Sequence, residues 1–480
     1  MVSKERVSPG LKNKKGDNFS EWYNELVIAA GLADFAPIAG CMSIKPYGYS
    51  IWESIQFYFD KKIKETGHVN AYFPMFIPES LLKKEAEHFS GFVPEVAMID
   101  KKGESGERYA LRPTSETIIC DSYSKWIRSW RDLPVKINQW CNIVRWETKA
   151  TRLFLRTREF LWQECHTAHR THKEAEQEAF WALNAYKDLM ENQLAIAVMV
   201  GEKTKKERFA GALKTFTLES LMPDGKALQM GTSHDMGQNF SRPFKISFID
   251  RDEKEKYVWQ TSWGITTRLI GAIIMVHGDD KGLVMPPRIA PLQIVVIPIP
   301  FENEKKKIMS HTKKVTEKLN EDFMVKLDDR KGYSPGYKFN DWEMRGIPIR
   351  IEIGPREVKE KSVLIARRDN GEKKAVPMKA MKKTIEKTLE MMHKDMLKRS
   401  REDMKNRIKD AKNFTELEDA IRKKQMARIG WCGDSVCEDK IQEGTAATIR
   451  LIPLRKESVP SKCAVCNKKA KHVVYISRQY

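Results

Sequence analysis

Between residues 138 and 170, aromatic, apolar and charged side chains alternate along the chain. A period of two over this length predicts two antiparallel strands joined by a turn near 149–151. Successive side chains of a strand point to opposite faces, so residues two apart share a face. One face would then carry Arg145 and Glu147 from the first strand and Arg156, Arg158, Phe160, Trp162 and Glu164 from the second. The chain must therefore build an antiparallel sheet with a charged and aromatic face.

Such a face is a poor core but a suitable surface for a ligand. Arginine forks match phosphate oxygens, an aromatic ring can stack on a purine base, and carboxylates can hold an α-amino group. The alternative is a solvated sheet face whose charges form salt bridges. Four large aromatic side chains among the charges favour the ligand surface, namely Trp146, Phe154, Phe160 and Trp162.

Two boundaries divide the rest of the chain, one near 285–288 and one near 400–430. Before the first, periodicity predicts helices over 19–32, 49–66 and 173–194, and a strand leading into a helix over 258–276. After it, the apolar run 292–299 predicts a strand buried on both faces, and strands then alternate with helices. We expect three domains, at 1–285, 286–400 and 401–480, a number that suits 480 residues.

Composition narrows the function. Lys and Arg number 85 against 65 for Asp and Glu, which gives a net charge of +20. This excess indicates a polyanionic partner, most simply nucleic acid, although a merely basic enzyme is the alternative. The sequence has neither an apolar run long enough to span a bilayer nor an apolar signal-peptide core at its N-terminus. A membrane protein and a secreted protein are therefore both disfavoured.

The last four cysteines form two close pairs. Cys432 and Cys437 are followed, after a gap, by Cys463 and Cys466. This spacing is typical of a four-thiolate zinc site, in which each pair supplies two corners of a tetrahedron. Two disulfides are the alternative, and they need an oxidising compartment. Because the set leaves no open coordination position, we predict a structural Zn²⁺.

The common nucleotide-binding and hydrolase motifs are absent. The sequence lacks a P-loop, a G-x-G-x-x-G turn after a strand, an H-E-x-x-H helix and a G-x-S-x-G elbow. An ATP site, if the chain has one, must be of another kind.

Three ordered segments resemble the motifs of the class II aminoacyl-tRNA synthetases. The passage ending in Tyr72-Phe73-Pro74 resembles motif one, Arg145-x-Glu147 with Arg156-x-x-x-Phe160 resembles motif two, and Gly264-x-x-x-Arg268 resembles motif three. Further runs narrow the resemblance to prolyl-tRNA synthetases of the archaeal and eukaryotic type, and it covers essentially the whole chain. These runs are Arg112-Pro113-Thr114-Ser115-Glu116, NQWCNIVRWE at 138–147, FLRTREFLWQE at 154–164, GTSHDMGQNF at 231–240 and SWGITTR at 262–268.

The resemblance implies a role for each matching residue. Arg145, Arg156 and Arg268 would be catalytic, with Arg145 at the α-phosphate and the other two at the outer phosphates. The ATP site would comprise Arg145, Glu147, Arg156, Thr157, Phe160, Gln229, Thr232, Thr266 and Arg268. The proline site would comprise Thr114, Glu116, Arg145, Trp162, Glu164, His234, Ser262 and Gly264. Glu343, Arg350, Glu352 and Arg356 are candidates for anticodon contacts, although exposed charges on a strand are more often simply solvated.

The resemblance also implies an α+β fold. A class II antiparallel-sheet catalytic domain flanked by helices would precede an α/β anticodon-binding domain and a small zinc-binding α+β domain. The expected enzyme is a cytoplasmic, homodimeric ligase that activates L-proline with ATP and Mg²⁺ and charges tRNA(Pro). The carboxylate of Tyr480 is expected to fold back towards the catalytic domain.

Two alternative functions remain open, and one further prediction concerns an editing domain. A threonyl or seryl enzyme is the first rival, but the threonyl enzyme needs a Cys/His/His zinc site in its pocket and no matching set stands out. A non-catalytic RNA-binding paralogue is the second, and such a protein should have lost one of Arg145, Arg156 and Arg268. Only 104 positions separate Phe160 from Gly264 (264 − 160 = 104), so we predict no inserted editing domain and some misactivation of Ala and Cys.

Overall fold

The computed structural model describes residues 10–88, 96–100, 106–146, 151–299 and 301–480. Its first part contains α1 (Phe19–Ala29), β1 (Ala33–Phe35), β2 (Met42–Ile44), α2 (Pro46–Lys64), β3 (Val69–Asn70), β4 (Phe76–Pro78), α3 (Glu79–His88), β5 (Tyr109–Leu111), α4 (Glu116–Trp126), β6 (Val135–Val144), β7 (Glu159–His169), α5 (His172–Asp188), β8 (Met199–Glu202), β9 (Lys214–Leu221), β10 (Lys226–Gly237), β11 (Ser247–Ile249), β12 (Glu255–Tyr257), β13 (Trp259–Thr266) and α6 (Arg268–His277).

The remaining elements form two further groups. The first group is β14 (Ile294–Pro298), α7 (Lys305–Asn320), β15 (Val325–Leu327), α8 (Pro335–Met344), β16 (Ile349–Ile353), α9 (Pro355–Glu360), β17 (Ser362–Arg367), β18 (Lys373–Pro377) and α10 (Met381–Asn406). The second is β19 (Ile408–Asp410), α11 (Phe414–Arg422), β20 (Met426–Trp431), α12 (Ser435–Thr445), β21 (Thr448–Pro453) and β22 (His472–Gln479).

The predicted antiparallel pair is present as β6 and β7, which pair from Val135–Ala168 to Val144–Glu159. The predicted side-chain faces are only partly correct. Phe160, Trp162 and Glu164 alternate along β7 as expected, but Arg156 and Arg158 precede the strand. The backbone between Arg152 and Arg156 closes a tight turn through Phe154, whose φ is +61°. Residue types therefore alternate already before Glu159, in a segment that does not have strand geometry.

The main sheet extends across two of the three groups of elements. Within the described residues its eleven strands run in the order β19-β20-β22-β21-β8-β9-β10-β13-β7-β6-β3. Helices α1, α2, α5 and α6 contribute buried side chains to the largest hydrophobic cluster of the molecule. Helix α5 begins at a capping box in which Thr171 and Glu174 bond each other's backbone N–H groups. Because these helices bury one face of the sheet, a ligand can reach it only from the other face, part of which is covered by a second hydrophobic cluster around α4.

Residues 294–377 build a separate mixed sheet. Its strand order is β15-β14-β16-β17-β18, with the first three strands parallel and the last two antiparallel. All five residues of β14 are buried, which confirms the predicted strand buried on both faces. Helix α10 follows the sheet, and its Met381, Ile385, Leu389 and Met392 pack into this core.

The C-terminal strands pair directly with strands of the first part of the chain. Strand β21 pairs antiparallel with β8, placing Ile452 opposite Glu202. Strand β22 pairs in parallel with β10, placing Gln479 opposite Ala227. The end of the chain therefore lies against β10 in the main sheet, where the Tyr480 hydroxyl donates to Asp224 at 2.7 Å. None of the helices in the described residues is long and apolar enough to cross a membrane.

Candidate active site

Strand register alone brings together side chains from distant parts of the sequence. Thr232 of β10 lies opposite Gly264 of β13, which lies opposite Glu164 of β7, which lies opposite Gln139 of β6. Two residues along, His234, Ser262 and His166 form the next row. Because alternate residues share a face, both rows lie on the side of the sheet away from α5 and α6. Thr232, Gly264, Glu164, His234 and Ser262 of these rows form the floor of a cavity of about 300 Å³.

Glu116 enters this cavity from the first residue of α4. Its carboxylate accepts a hydrogen bond from the Ser262 hydroxyl at 3.0 Å and another from Thr114. The side chain is 5% exposed and also lines the cavity. A carboxylate with hydroxyl donors and an open side suits an ammonium ligand.

Glu164 is the second buried carboxylate of the floor. It accepts hydrogen bonds from Ser115 at 2.6 Å and from Gln139 at 2.8 Å, and it lies 3.0 Å from His166 Nε2. Burial would raise the pKa of Glu164, but the His166 contact and these hydrogen bonds outweigh burial, so the pKa is lowered. Burial would lower the pKa of His166, but the Glu164 carboxylate raises it. The two side chains therefore form a buried ion pair.

Arg145 lies at the mouth of the site, directly after β6. Its guanidinium donates to the Pro113 carbonyl at 3.1 Å. The same group lies 5.7 Å from the Phe160 ring centroid and 5.9 Å from that of Trp162. A cation held against two aromatic faces beside an open cavity is placed to meet an anionic ligand.

Arg268 supplies a second cation from the opposite side. It is the first residue of α6 and donates to the carbonyls of Gln229 at 3.2 Å and Leu155 at 3.3 Å. The N-terminus of a helix adds a partial positive charge to that of the side chain. Gln229, Thr232 and Thr266 line the cavity beside it. This end of the cavity is electrostatically suited to phosphate.

His234 and Phe209 form one wall of the cavity. Their rings lie 4.7 Å apart, and His234 Nδ1 is 3.0 Å from the Thr215 hydroxyl. Burial lowers the pKa of His234 to about 3, so this imidazole is neutral at physiological pH. The His234–Phe209 wall is therefore aromatic and uncharged, which suits contact with an apolar ring of a ligand.

Most residues predicted from the sequence line this one cavity. Among the proposed nucleotide and proline residues, the structure places Thr114, Glu116, Arg145, Phe160, Trp162, Glu164, Gln229, Thr232, His234, Ser262, Gly264, Thr266 and Arg268 there. Arg156 is exposed in the turn before β7 and is not among the lining residues, while Thr157 is buried and bonds the Glu159 carbonyl at 2.7 Å. Glu147 lies outside the described residues.

Sequence reasoning missed part of the lining. Lys203, Glu207, Phe209 and Thr215 come from the β8–β9 region, and Arg450 and Gln479 come from the C-terminal strands. For Arg450 and Gln479 the signal would have been strand pairing between segments more than 200 residues apart, which periodicity within a single strand does not contain.

The four C-terminal cysteines do converge. Their sulfur atoms all lie within 4.8 Å of one another, and two of the separations, Cys432–Cys437 and Cys432–Cys466, are 3.7 Å. A tetrahedral zinc with Zn–S bonds of about 2.3 Å has S–S edges of about 3.8 Å. All four cysteines are free rather than paired in disulfides. The donor set and its geometry therefore fit a metal ion.

The four candidate anticodon residues do not form one cluster. Arg350 lies 2.9 Å from Glu352 and 4.3 Å from the Phe339 ring centroid. Glu343 and Arg350 line a small cavity of about 160 Å³, whereas Arg356 is exposed and pairs with Glu360 at 3.0 Å. Glu352 is only 4% exposed, so it is not a solvated charge on the surface of β16.

Three family models match the chain. They are described as the tRNA synthetase class II core domain (G, H, P, S and T) over residues 99–277, the anticodon binding domain over 293–388, and the prolyl-tRNA synthetase C-terminal domain over 414–480.

Similar proteins cover almost the whole chain. The proline--tRNA ligase of Alkaliphilus oremlandii is 50% identical over 466 residues, 96% of each chain. That of Natranaerobius thermophilus is 50% identical over 455 residues, 94% of each. Among solved structures, prolyl-tRNA synthetase from Cryptosporidium parvum with halofuginone and AMPPNP is 42% identical with a TM-score of 0.92, covering 98% of this chain and 99% of that one. The same enzyme with L-proline and AMP is 40% identical with a TM-score of 0.91 and the same coverage.

Proposed function

This chain belongs to the prolyl-tRNA synthetases, and on that premise we propose that its cavity binds ATP and L-proline side by side and joins them. These class II ligases make prolyl-adenylate, release pyrophosphate and transfer the prolyl group to the 3′ end of tRNA(Pro). The observation that carries the proposal is the joint lining of one cavity: sheet register places Glu164 in its floor, Glu116 enters it from α4, and Arg145 and Arg268 line it as well.

Each end of the cavity suits one substrate. At the carboxylate end, Thr114 and Glu116 would hold the proline ammonium, and Trp162, His234, Ser262 and Gly264 would enclose its ring. At the other end, Phe160 would stack on adenine, and Arg268 with Gln229, Thr232 and Thr266 would hold the phosphates. Arg156, Thr157 and Glu147 remain candidates for the ATP site.

The reaction needs positioning more than proton transfer. The proline carboxylate oxygen forms a bond to the α-phosphorus while the bond to the bridging oxygen of pyrophosphate breaks, and that electron pair leaves with pyrophosphate. The nucleophile is already ionised at neutral pH, so no general base is required. Arg145 would stabilise the charge that spreads over the α-phosphate oxygens. Mg²⁺ bound with ATP would neutralise part of the triphosphate charge.

The test is amino-acid-dependent exchange of pyrophosphate into ATP, measured with all twenty amino acids. Proline should give the highest kcat/KM, with weaker exchange for alanine and cysteine because a missing ring contact costs only about 1–3 kcal/mol. Preference for threonine or serine would contradict the proposal.

We further propose the domain boundaries 1–285, 286–400 and 401–480, with the middle domain binding the anticodon arm of tRNA(Pro). The four cysteines would hold a structural Zn²⁺. A cytoplasmic location follows from the role of charged tRNA in translation. No inserted editing domain is proposed, because the segment between β7 and β13 consists of α5 and β8–β12, and β8, β9 and β10 belong to the main sheet. Deacylation of alanyl-tRNA(Pro) by the purified chain would contradict that proposal.

A homodimer is proposed from an exposed apolar surface. Phe57 is 78% exposed, Tyr72 70%, Val69 58% and Phe76 53%. Strand β3, which holds Val69, is the last strand at its end of the main sheet in the described residues. Exposed edges and large apolar side chains are features of an interface. Light scattering should give the mass of two chains, and Phe57→Glu should shift it towards one.

A further inference from the structure

A buried cluster of charges lies between the C-terminal strands and the catalytic sheet, and it reaches the active-site cavity. Lys203 follows β8, Glu219 lies in β9 and Arg450 lies in β21, and each is at most 4% exposed. The Lys203 ammonium donates to Glu219 at 2.7 Å and to the Arg450 carbonyl at 2.8 Å. The Arg450 guanidinium donates to both Glu219 oxygens at 3.2 Å. Two cations therefore share one carboxylate in a place that water scarcely reaches.

Gln479 and Thr448 complete the hydrogen bonding of Arg450. Thr448 accepts from Nη1 at 3.1 Å, and Gln479 accepts from the same nitrogen. Lys203, Arg450 and Gln479 also line the cavity that holds the two carboxylates of the site. The C-terminal strands thus supply part of the active-site wall, and none of the roles assigned above accounts for it.

A chain of contacts links this cluster to the wall for the proline ring. The Lys203 backbone N–H donates to the Thr215 carbonyl at 2.8 Å. The Thr215 hydroxyl oxygen accepts from the Phe209 N–H at 3.0 Å. Its own proton is then available to His234 Nδ1, 3.0 Å away, which favours the tautomer with the proton on Nε2. Thr215 therefore anchors the Phe209 backbone and orients the His234 ring.

We propose that Arg450 and Gln479, acting through Glu219 and Lys203, are positioning residues for the amino-acid substrate. This inference rests on the proposed function of the cavity. By fixing the segment between Lys203 and Thr215, the C-terminal strands hold Phe209 and His234 against the proline ring. Buried polar networks of this kind rigidify their surroundings when every member is satisfied.

The cluster indicates which substitution is the informative one. Glu219→Gln would leave two buried cations without a counter-charge, a change that endangers folding. Arg450→Met instead leaves Lys203 and Glu219 as a neutral pair and keeps much of the side-chain volume. Glu207, 4.0 Å from Arg450, is partly exposed and can be solvated when its partner is lost.

The experiment is pyrophosphate exchange with the full chain carrying Arg450→Met, with proline and ATP varied separately. We expect the KM for proline to rise about tenfold while the KM for ATP stays within about twofold. Arg450→Lys keeps the positive charge but loses the paired N–H donors of the guanidinium. Its KM for proline should lie between those of the wild type and Arg450→Met. Ser477→Ala is the matched control, because Ser477 is fully buried and bonds Gly225 across the same seam at 2.9 Å. Its KM values should match those of the wild type.

A double-mutant cycle tests the route. Thr215→Val removes the hydroxyl on which this route depends. The KM for proline of the double variant Thr215→Val/Arg450→Met should therefore exceed the wild-type value by much less than the product of the two single fold-changes. Multiplicative effects, equal changes in both KM values, or an unchanged KM in Arg450→Met would overturn the proposal. Absence of proline-dependent exchange in the wild type would instead contradict the function of the cavity, so the two failures are distinguishable.

Discussion

The active-site cavity and the four-cysteine cluster differ in what satisfies their polar groups. Glu116 and Glu164 are surrounded by donors from the protein itself, from Ser115, Gln139, His166 and Ser262. The four thiols of the C-terminal module instead face one another. The cavity is therefore preorganised for a ligand that arrives and leaves, whereas the cysteine cluster is completed only by an ion that stays. Loss of a cavity cation should affect the rate, and loss of the ion should affect the fold.

The largest predicted effect is that of Arg145→Ala, which should lower the rate of the reaction without lowering the stability of the fold. Removing a preorganised cation that stabilises transition-state charge costs about 10²–10³-fold in rate, and Arg145 would meet both reacting groups, so we expect at least about 10³-fold. The thermal midpoint should stay near that of the wild type, since the residue lies at the cavity mouth. The measurement combines pyrophosphate exchange with tRNA binding on filters, and binding should be largely retained.

Arg242→Ala is the control for that variant. Arg242 is an exposed arginine that bonds Gln238 at 2.8 Å and packs on Tyr257. Exchange by this variant should be unchanged. Adenylate formation by Arg145→Ala at the wild-type rate would show that the cavity binds its substrates differently.

Loss of the metal ion should instead lower the stability of the fold. Structural zinc sites contribute their binding free energy to folding, so Cys463→Ser should lose bound zinc and lower the thermal midpoint. Metal analysis and thermal unfolding check this, with Cys41→Ser as the control because Cys41 is a partly exposed cysteine outside the cluster. An unchanged midpoint together with full loss of zinc would remove the distinction between the two regions.

The two regions also differ in how far sequence predicts them. The cysteine spacing identified all four members of the cluster, because the ligands are of one residue type in two short segments. Phe160, Trp162 and Glu164 were likewise predictable, because a period of two is a local property of a strand. The misplacement of Arg156 and Arg158 comes from the turn at Phe154, where residue types keep alternating although the backbone changes direction.

The contribution of Arg450 could not be found in this way. Its partner Glu219 lies 231 residues earlier, and the two meet only because β8 lies between β9 and β21 in the sheet. Strand order between distant segments depends on how the complete chain packs, so a single-sequence pattern does not specify it. The resemblance to known synthetases predicted the substrates, but it did not predict which C-terminal residues reach the cavity.

The smallest predicted effect concerns pH and the Glu164–His166 pair. Because the folded pKa of His166 is raised above its ordinary value near 6.5, the stability it contributes is fully present below about pH 6.5 and is lost as the pH rises through the raised value. The lowered pKa of Glu164 sets the acidic limit, since its contribution is lost as the pH falls below its ordinary value near 4.5 and through the lowered one.

His166→Gln can still donate a hydrogen bond to Glu164 but carries no charge, so it isolates the ionic part of the pair. The difference in thermal midpoint between wild type and this variant should be largest between about pH 4.5 and 6.5 and should shrink at alkaline pH. At 480 residues, 1 kcal/mol corresponds to a shift of roughly 1 °C. A difference independent of pH would mean that His166 acts through shape alone. The cavity would then owe its order to hydrogen bonds rather than to charge.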